Sequence, residues 1–563
     1  MKRLAKAITR ASLPALLLFA SSAAIAQTPA PMPTQKPRQP NLPSFQAQPV
    51  PPTPDLTRVG ISTSNVLVLS MDDAIRKALD NGNDIEVARD DVRVAEQRLR
   101  GLYGVYDPVF SITPTFDRQI TPVTSVFAGG STSGTVSTTT FTFSPTISKL
   151  FQTGGGSYEL QFNNTRTSTS DTFSTLNPYY TTNLTLLYTQ PLLRNRSIDA
   201  SRHAIRVQKK ALSQTDSDFR LRIIQIIAQV QTAYWNLVFA LRDQQNQLES
   251  LNVSRQNLQN IETQIAAGAK APLDRAQALT DISTREAALL VATQSVSTAE
   301  NSLKQLMLLD PTSPEWAAQI TATDAPVLDL SPVDLKSALE EAHKNRPELE
   351  RLNFQKDINS IDLQYYRSQV KPEITLTGAL TTTGLAGTTA PCSFAPCPAI
   401  PVNYKGGYGQ DLSNLFNFKT REISVGVSIS LPLHNRTAAA NLAAAQIQRE
   451  QLGASYRSQD QAIEMDVRNA AQSVATAQKR VVALRLARDS AEQQLAGEQM
   501  LYDVGSSTTF LLLQRQNELT AARTNELQAE TDYSKALADL QRATASTLRV
   551  NNIEVQAPKG NGQ

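Results

Sequence analysis

The sequence has few of the residues that carry catalytic and metal chemistry. Its 563 residues include three histidines, His203, His343 and His434, which stand far apart in the chain. It contains no HExxH motif and no nucleophile elbow. The glycines at 154–156 lack the Lys-Ser/Thr of a phosphate-binding loop and instead predict a hairpin turn. The sequence therefore predicts no enzyme and no bound cofactor or metal.

The sequence also has no cluster of basic charge. Lysine and arginine number 54, and aspartate and glutamate number 51. Four of the basic residues, Lys2, Arg3, Lys6 and Arg10, belong to the first 26 residues, so the rest of the chain is nearly neutral. Nucleic-acid binding needs a basic face or stripe, so a nucleic-acid partner is not expected.

Beyond the N-terminus no run of 18 apolar residues occurs, so no membrane-spanning helix is predicted. Residues 1–26 combine basic residues, an apolar stretch from Ala11 to Ile25 and an Ala-Ile-Ala sequence before Gln27. This pattern predicts a secretory signal peptide rather than an anchoring helix. Any membrane insertion would then use β-strands, because backbone polar groups in lipid must all pair within the protein and only helices and closed barrels achieve this.

A proline-rich segment follows the predicted signal peptide. Residues 27–58 hold ten of the chain's thirty prolines and predict a disordered or polyproline arm, either a strap for a partner or a solvated leader. The two cysteines, Cys392 and Cys397, lie in a loop rich in Pro, Gly and Thr. In an exported protein we expect a small disulfide loop there, in preference to a reactive pair.

The chain repeats itself. Residues 74–85 resemble residues 338–349 at a constant offset of 264, and the same offset places Pro108 on Pro372. Gly268 has a counterpart in Gly505. The sequence therefore predicts a duplicated unit, with a first repeat at 59–330, a second at 331–550 and a C-terminal tail at 551–563. Each repeat has the order helix, strands, long helix, turn, helix.

Apolar residues spaced by four and three predict coiled-coil seams in both repeats. They lie in helical hairpins expected at 197–309 and 437–548, whose long helices would each reach roughly 100 Å. The seams are Phe219, Ile223, Ile226, Val230, Ala233, Leu237 and Ala240, and Ile463, Val467, Ala470, Val474, Ala477, Val481 and Leu484.

Alternating strands are expected within 109–190 in the first repeat and at 373–381 and 421–431 in the second. The last segment places Ile423, Val425, Val427 and Ile429 on one face. In an exported protein this alternation predicts an outer-membrane barrel, with a periplasmic β-sandwich as the alternative. A solid coiled-coil rod would explain the heptads but not these strands.

With these features the chain resembles the TolC-like outer-membrane efflux proteins. The resemblance covers residues 66–550 and rests on LSMDDA at 69–74, QPL at 190–192, AYWNL at 233–237 and YDVG at 502–505. It implies a mixed α/β membrane protein: a homotrimer whose transmembrane β-barrel takes four strands from each chain and continues as an α-helical coiled-coil barrel in the periplasm. The extra strand-like stretches in the first repeat depart from that number.

The resemblance also implies where the periplasmic end closes. Gly268 and Gly505 would turn the hairpin tips, where the family contacts a periplasmic adaptor. Leu511 and Gln514 occupy the positions of an acidic ring in the best-known member, so an apolar constriction at Leu511 is expected instead. That member also closes its tip with an Arg, an Asp and a Tyr; Asp274 and Tyr502 match, and Ser507 replaces the Arg.

The function implied is a passive exit duct in the outer membrane, part of a tripartite efflux or type I secretion system. Substrates would arrive from an inner-membrane pump through the adaptor, and outer-membrane lipid would surround the barrel. A periplasmic adaptor is an alternative, but it would carry one hairpin and soluble β-domains. A structural coiled-coil protein is a second alternative, and it would need no paired strands.

Overall fold

A computed structural model describes residues 52, 54–125, 129–130, 134–391 and 399–555. The predicted signal peptide at 1–26, most of the arm at 27–58, Cys392, Cys397 and the end of the tail at 551–563 lie outside these residues. All the elements below belong to one unit, Thr53–Gln563.

The elements of the N-terminal half follow one another from a short strand to a pair of long helices. They are β1 Ser62–Leu69, α1 Met71–Asn81, α2 Asn83–Tyr103, β2 Val109–Pro122, β3 Thr135–Leu150, β4 Ser157–Thr169, β5 Leu176–Pro191, α3 Ala200–Ala266, α4 Pro272–Met307 and β6 Ala318–Ala322. Strands β1 and β6 pair in parallel.

The C-terminal half has the same sequence of helix pair, strands and long helix pair. Its elements are α5 Leu335–Asn345, α6 Pro347–Gln369, β7 Glu373–Thr389, α7 Tyr408–Phe416, β8 Arg421–Ser430, α8 Arg436–Asp503, α9 Thr509–Ala543 and α10 Thr547–Val550. Within the described residues, no helix is long and apolar enough to cross a membrane.

Six strands form one antiparallel sheet in the order β2-β3-β4-β5-β7-β8. This is two strands more than the resemblance implied for each chain. The first half supplies four of the six strands and the second half two. The turn between β3 and β4, at 151–156, contains Gly154 and Gly155 at φ of 74° and 68°. These values lie in the left-handed region that glycine adopts without steric cost, so the glycine run permits the tight turn.

The sheet has one apolar and one polar face, because side chains alternate along each strand and the register aligns apolar residues with apolar residues on neighbouring strands. Residues that pair across strands on the apolar face include Leu160, Leu186, Leu380 and Ile423. Other members of the apolar face are Phe110, Ile112, Phe116, Phe141, Phe143, Ile147, Phe162, Leu184, Tyr188, Leu376, Val425, Val427 and Ile429. The polar face carries Thr, Ser, Asn, Gln and Glu.

Helices adjoin one end of the sheet, which we call the helix end. Helix α2 leads to β2, and α6 to β7, while β5 and β8 lead to α3 and α8. The opposite, loop end carries the connections between β2 and β3, β4 and β5, and β7 and β8. Both edge strands, β2 and β8, are exposed at every residue.

The long helices pair as two hairpins. Helices α3 and α8 have 67 and 68 residues, about 100 Å each at 1.5 Å per residue. The whole α3 seam is buried. It packs with Ile75, Val296 and Ile320 from α1, α4 and β6, which joins the first hairpin to the small β1-β6 sheet.

Candidate functional site at the hairpin tips

Both hairpins turn through the same helix-terminating geometry. Gly268 and Gly505 have φ of 76° and 77°. In each turn the next residue's amide reaches back to the last helical turn, Ala269 N to Gln264 O and Ser506 N to Leu501 O, at 2.9 and 2.8 Å. This bond between residues five apart satisfies orphan carbonyls and defines a Schellman motif. Since a Cβ would meet nothing within 4 Å, the backbone angle explains the glycines.

Lys270 joins the two turns. Its ammonium donates to the Tyr502 hydroxyl and to the Thr509 Oγ1, both at 2.7 Å, and lies 3.9 Å from the centre of the Tyr502 ring. Thr509 is buried at the start of α9. The first hairpin is therefore held against the end of α8 and the start of α9 by two hydrogen bonds and a cation–π contact. We call these interactions the Lys270 contact.

Among the described residues, no hydrogen bond joins the three residues matched to the family's closing contact to one another. Tyr502 takes part in the Lys270 contact. The Ser507 hydroxyl donates to the Glu498 carboxylate within its own hairpin. Asp274 lies in the first turn of α4, and in the described part of the chain no hydrogen bond joins its side chain to Tyr502 or Ser507. Their role in closing the tip stays a prediction.

Leu511 and Gln514 lie one helical turn apart on the exposed side of α9. Leu511 is 39% exposed, whereas Leu512 and Leu513 are buried. The Gln514 amide donates to Glu518 at 3.0 Å. Glu518 therefore follows Leu511 and Gln514 along the same side of the helix, and places a carboxylate two turns beyond the predicted constriction at Leu511.

The Glu518 carboxylate is stabilised in its charged form. Hydrogen bonds from Arg515, at 2.6 Å, and from Gln514 lower the pKa of Glu518 from its usual value. The sequence patterns indicated neither Glu518 nor Lys270. Lys270 could have been found, because it is the only charged residue in the turn at 267–271, between two residues of small side chain.

Apolar side chains are exposed around both tips. Val504, Phe510 and Leu273 are 75%, 62% and 60% exposed, and Met500 and Leu501 extend the patch onto α8. A cluster of exposed apolar residues of this kind marks an interaction surface.

Polar contacts join α3 to α9 above the tips. Asn257 donates to Gln516 at 2.7 Å, and Asn246 donates to Thr524 at 2.9 Å. Within the first hairpin, the buried Arg285 of α4 pairs with Asp281 at 2.7 Å and donates to the Ser250 hydroxyl of α3. Throughout the residues that the structure describes, no group of three or more His, Cys, Asp or Glu could hold a metal ion.

Known structures have the same fold. The Campylobacter jejuni CmeC outer membrane channel is 15% identical, with a TM-score of 0.59 over 86% of this chain and 90% of its own. Vibrio cholerae VceC is 16% identical, with a TM-score of 0.57 over 84% and 95%. The open state of the Neisseria gonorrhoeae MtrE channel is 16% identical, with a TM-score of 0.56 over 84% and 88%.

No curated protein sequence matches the chain. The family model described as outer membrane efflux protein matches residues 155–307 and 338–546, well over half of the sequence. That family consists of channel-forming proteins and is not a family of enzymes. The chain therefore belongs to the outer membrane efflux protein family and is an efflux channel of the outer membrane.

Proposed function

We propose that three copies of this chain form a passive exit duct that carries substrates from an inner-membrane pump through the periplasm and outer membrane. The observation that carries this proposal is a sheet that has one apolar and one polar face and whose two edge strands have no neighbouring strand. Strands β2 and β8 expose unpaired backbone groups, and lipid tolerates no open edge. Pairing β2 of one copy with β8 of the next closes the sheet without an edge.

The direction of the strands supports this closure. β2 runs from the helix end to the loop end and β8 runs back, so the two meet as antiparallel neighbours. Three chains with six strands each would contribute eighteen strands, in place of the twelve that the resemblance implied. Barrel diameter grows with strand number, so the pore through the membrane would be wider than a twelve-stranded one.

The long hairpins would continue the barrel as a periplasmic tunnel, with the tips as its far end. In this arrangement the exposed apolar patch at Val504, Phe510 and Leu273 would contact the periplasmic adaptor. The Lys270 contact would hold the two hairpins of each chain together, and Leu511 would form an apolar ring that excludes water. Substrate choice and energy would come from the pump.

Single-channel conductance in a planar bilayer tests this proposal. The native protein should give small unitary steps. Lys270→Met removes both hydrogen bonds and the cation–π contact, so its conductance steps should be larger or less stable than the native steps. Leu511→Ala should widen the constriction directly and also give larger steps. A matched control is Lys356→Met, because Lys356 makes a similar contact 3.5 Å from the Tyr456 ring, away from the tips.

The outcomes separate the parts of the proposal. If native steps appear and neither tip variant differs from Lys356→Met, the duct stands and the closure at the tip is wrong. If trimeric protein, identified by native mass spectrometry, gives no steps, the duct itself is wrong.

A further inference from the structure

The apolar face of the sheet is interrupted near its loop end. Asn164 on β4, Thr182 on β5 and Gly384 on β7 are register partners on this face, and Thr382 is two residues from Gly384. One step nearer the helix end lie Phe162 and Leu184, followed by the apolar row of Leu160, Leu186 and Leu380. The polar residues therefore mark the loop-side boundary of the apolar band.

Helix α7 covers these polar residues at the loop-side boundary of the apolar band. The Thr182 hydroxyl donates to the carboxylate of Asp411, which is fully buried. The Thr382 hydroxyl donates to Leu415 O at 2.7 Å, and the Tyr408 hydroxyl donates to Asn164 Oδ1 at 2.7 Å. These bonds hold a nine-residue amphipathic helix flat against the apolar side of the sheet.

Gly384 makes this close approach possible. A Cβ at this position would come within 2.7 Å of the Asp411 carboxylate and closer still to its backbone oxygen. Only a residue without a side chain leaves room for α7 there. The glycine in β7 thus fits the position of α7, so the helix has a defined place within the connection between β7 and β8.

Aromatic rings at both ends of α7, and one just beyond its C-terminal end, are exposed. Phe416, Phe418 and Tyr408 are 58%, 45% and 41% exposed, and the Tyr408 ring also packs on Tyr180 at 5.9 Å. Girdles of aromatic residues flank the apolar band of outer-membrane barrels, and tyrosine in particular combines apolar area with a hydroxyl that suits the lipid–water interface.

Basic residues accompany these rings at the same boundary. Arg421 lies on the apolar face as the partner of Thr382, and Lys405 and Lys419 flank α7. Arg118 and Arg166 occupy the same face near the loop ends of β2 and β4. All five are exposed. The nearest acidic strand residues, Asp117 and Glu422, have the opposite register and belong to the polar face.

We propose that α7 and this basic boundary form a docking surface for the phosphate groups of outer-leaflet lipid, with Lys405, Lys419 and Arg421 as its centre. The inference rests on the proposed function, since the apolar face meets lipid only if the sheet spans the membrane. Exposed rings next to the apolar band place α7 at the depth of the headgroups. A cationic boundary with its acidic neighbours turned away complements anionic lipid phosphate.

The position of α7 is tested by nitroxide labels at introduced cysteines, in a chain carrying Cys392→Ser and Cys397→Ser, reconstituted in phosphatidylcholine vesicles. We compare Phe416→Cys with Val425→Cys on the apolar face and Asn183→Cys on the polar face. Oxygen collisions should dominate at 425 and collisions with a water-soluble nickel chelate at 183, with 416 intermediate. A label at 416 that behaves like 183 overturns the inference. A label at 425 that behaves like 183 overturns the proposed function.

The lipid chemistry is tested by native mass spectrometry of the trimer with lipid A, dephosphorylated lipid A and phosphatidylcholine. Replacing Lys405, Lys419 and Arg421 together by Gln should weaken lipid A binding by one to two powers of ten, at about tenfold or less for each charge lost. The control replaces Lys336, Arg449 and Arg468 by Gln and should change nothing.

Three results would contradict the inference. They are equal binding of phosphorylated and dephosphorylated lipid A, equal losses in the control variant, or no loss in the test variant. Conductance steps of normal size in the test variant would show that the duct persists, so these failures would leave the proposed function intact.

Discussion

Helices α3 and α8 have nearly the same length and the same heptad pattern, but they differ in burial. Twenty residues of α3 are buried in the chain and only eight of α8. Helix α3 packs against α2, α4, α6 and α9, while α8 packs mainly against α9 and α6. The seam residues Ile463, Val467 and Val481 of α8 are buried as well. The two helices therefore differ in their remaining faces, which further helices cover on α3 and which stay largely exposed on α8.

The sheet is open at one strand from each half. Four of its strands pair on both sides, and the edges β2 and β8 do not. The open features of the chain are thus an edge strand from each half together with the face of α8, whose Leu486 is 63% exposed. Sequence repetition alone does not make two halves equivalent, because each half takes different neighbours.

The largest expected effect comes from making the two halves equal in strand number. Deleting residues 123–175 and joining β2 to β5 through an Asn-Gly turn removes the hairpin of β3 and β4. Both ends of this hairpin lie at the loop end, so β2 and β5 are left side by side. We expect trimers with twelve strands, counted by electron cryo-microscopy. Helical chains that fail to trimerise would show that the hairpin is needed for closure.

Each half also holds a carboxylate between two cations, and the two differ in burial. In the first, Glu300 bonds Arg58 and pairs with Lys304 at 2.9 Å, and the side chains of Glu300 and Lys304 are 1% exposed. Glu300→Gln leaves two cations in a dry site. We expect a loss of about 3–5 kcal/mol in the free energy of unfolding, measured by urea denaturation.

The control for this variant is Glu340→Gln. Glu340 lies 4.0 Å from Lys336, and its side chain is 71% exposed, so its removal should cost almost nothing. Equal effects of the two variants would contradict the assignment of Glu300 as a buried anchor of the first half.

The open face of α8 gives a smaller effect, confined to assembly. Val482 and Leu486 are one turn apart and exposed, so replacing both by Asp should lower the trimer fraction in native mass spectrometry without changing the helix content. Burial of such side chains contributes about 1.5–3 kcal/mol each. The same pair of changes at Ile223 and Ile227 of α3 should instead unfold the chain, because these residues are buried.

Sequence patterns predicted the elements that depend on local periodicity. The α3 seam is buried as expected, and Gly268 and Gly505 turn the hairpins, because heptads and helix ends are encoded within a few residues. Features that depend on distant contacts were missed. Lys270 reaches a tyrosine 232 residues away, and α7 is a short helix in a segment expected to be loop.

The smallest expected effect concerns the second carboxylate. Asp466 accepts bonds from Arg346 and Arg542, but its side chain is 31% exposed. Burial alone would raise the pKa of Asp466; the two arginines outweigh it and hold the pKa below its ordinary value of 3.8. A depressed carboxyl pKa stabilises the fold at neutral pH, and this contribution is lost as the pH falls through the pKa of the folded state. Asp466→Asn should therefore lower stability at pH 7 by less than Glu300→Gln and flatten its decline below about pH 4. Urea denaturation across this pH range provides the measurement. If the stability of the variant falls with pH as steeply as that of the native protein, other carboxylates cause the acid loss of stability.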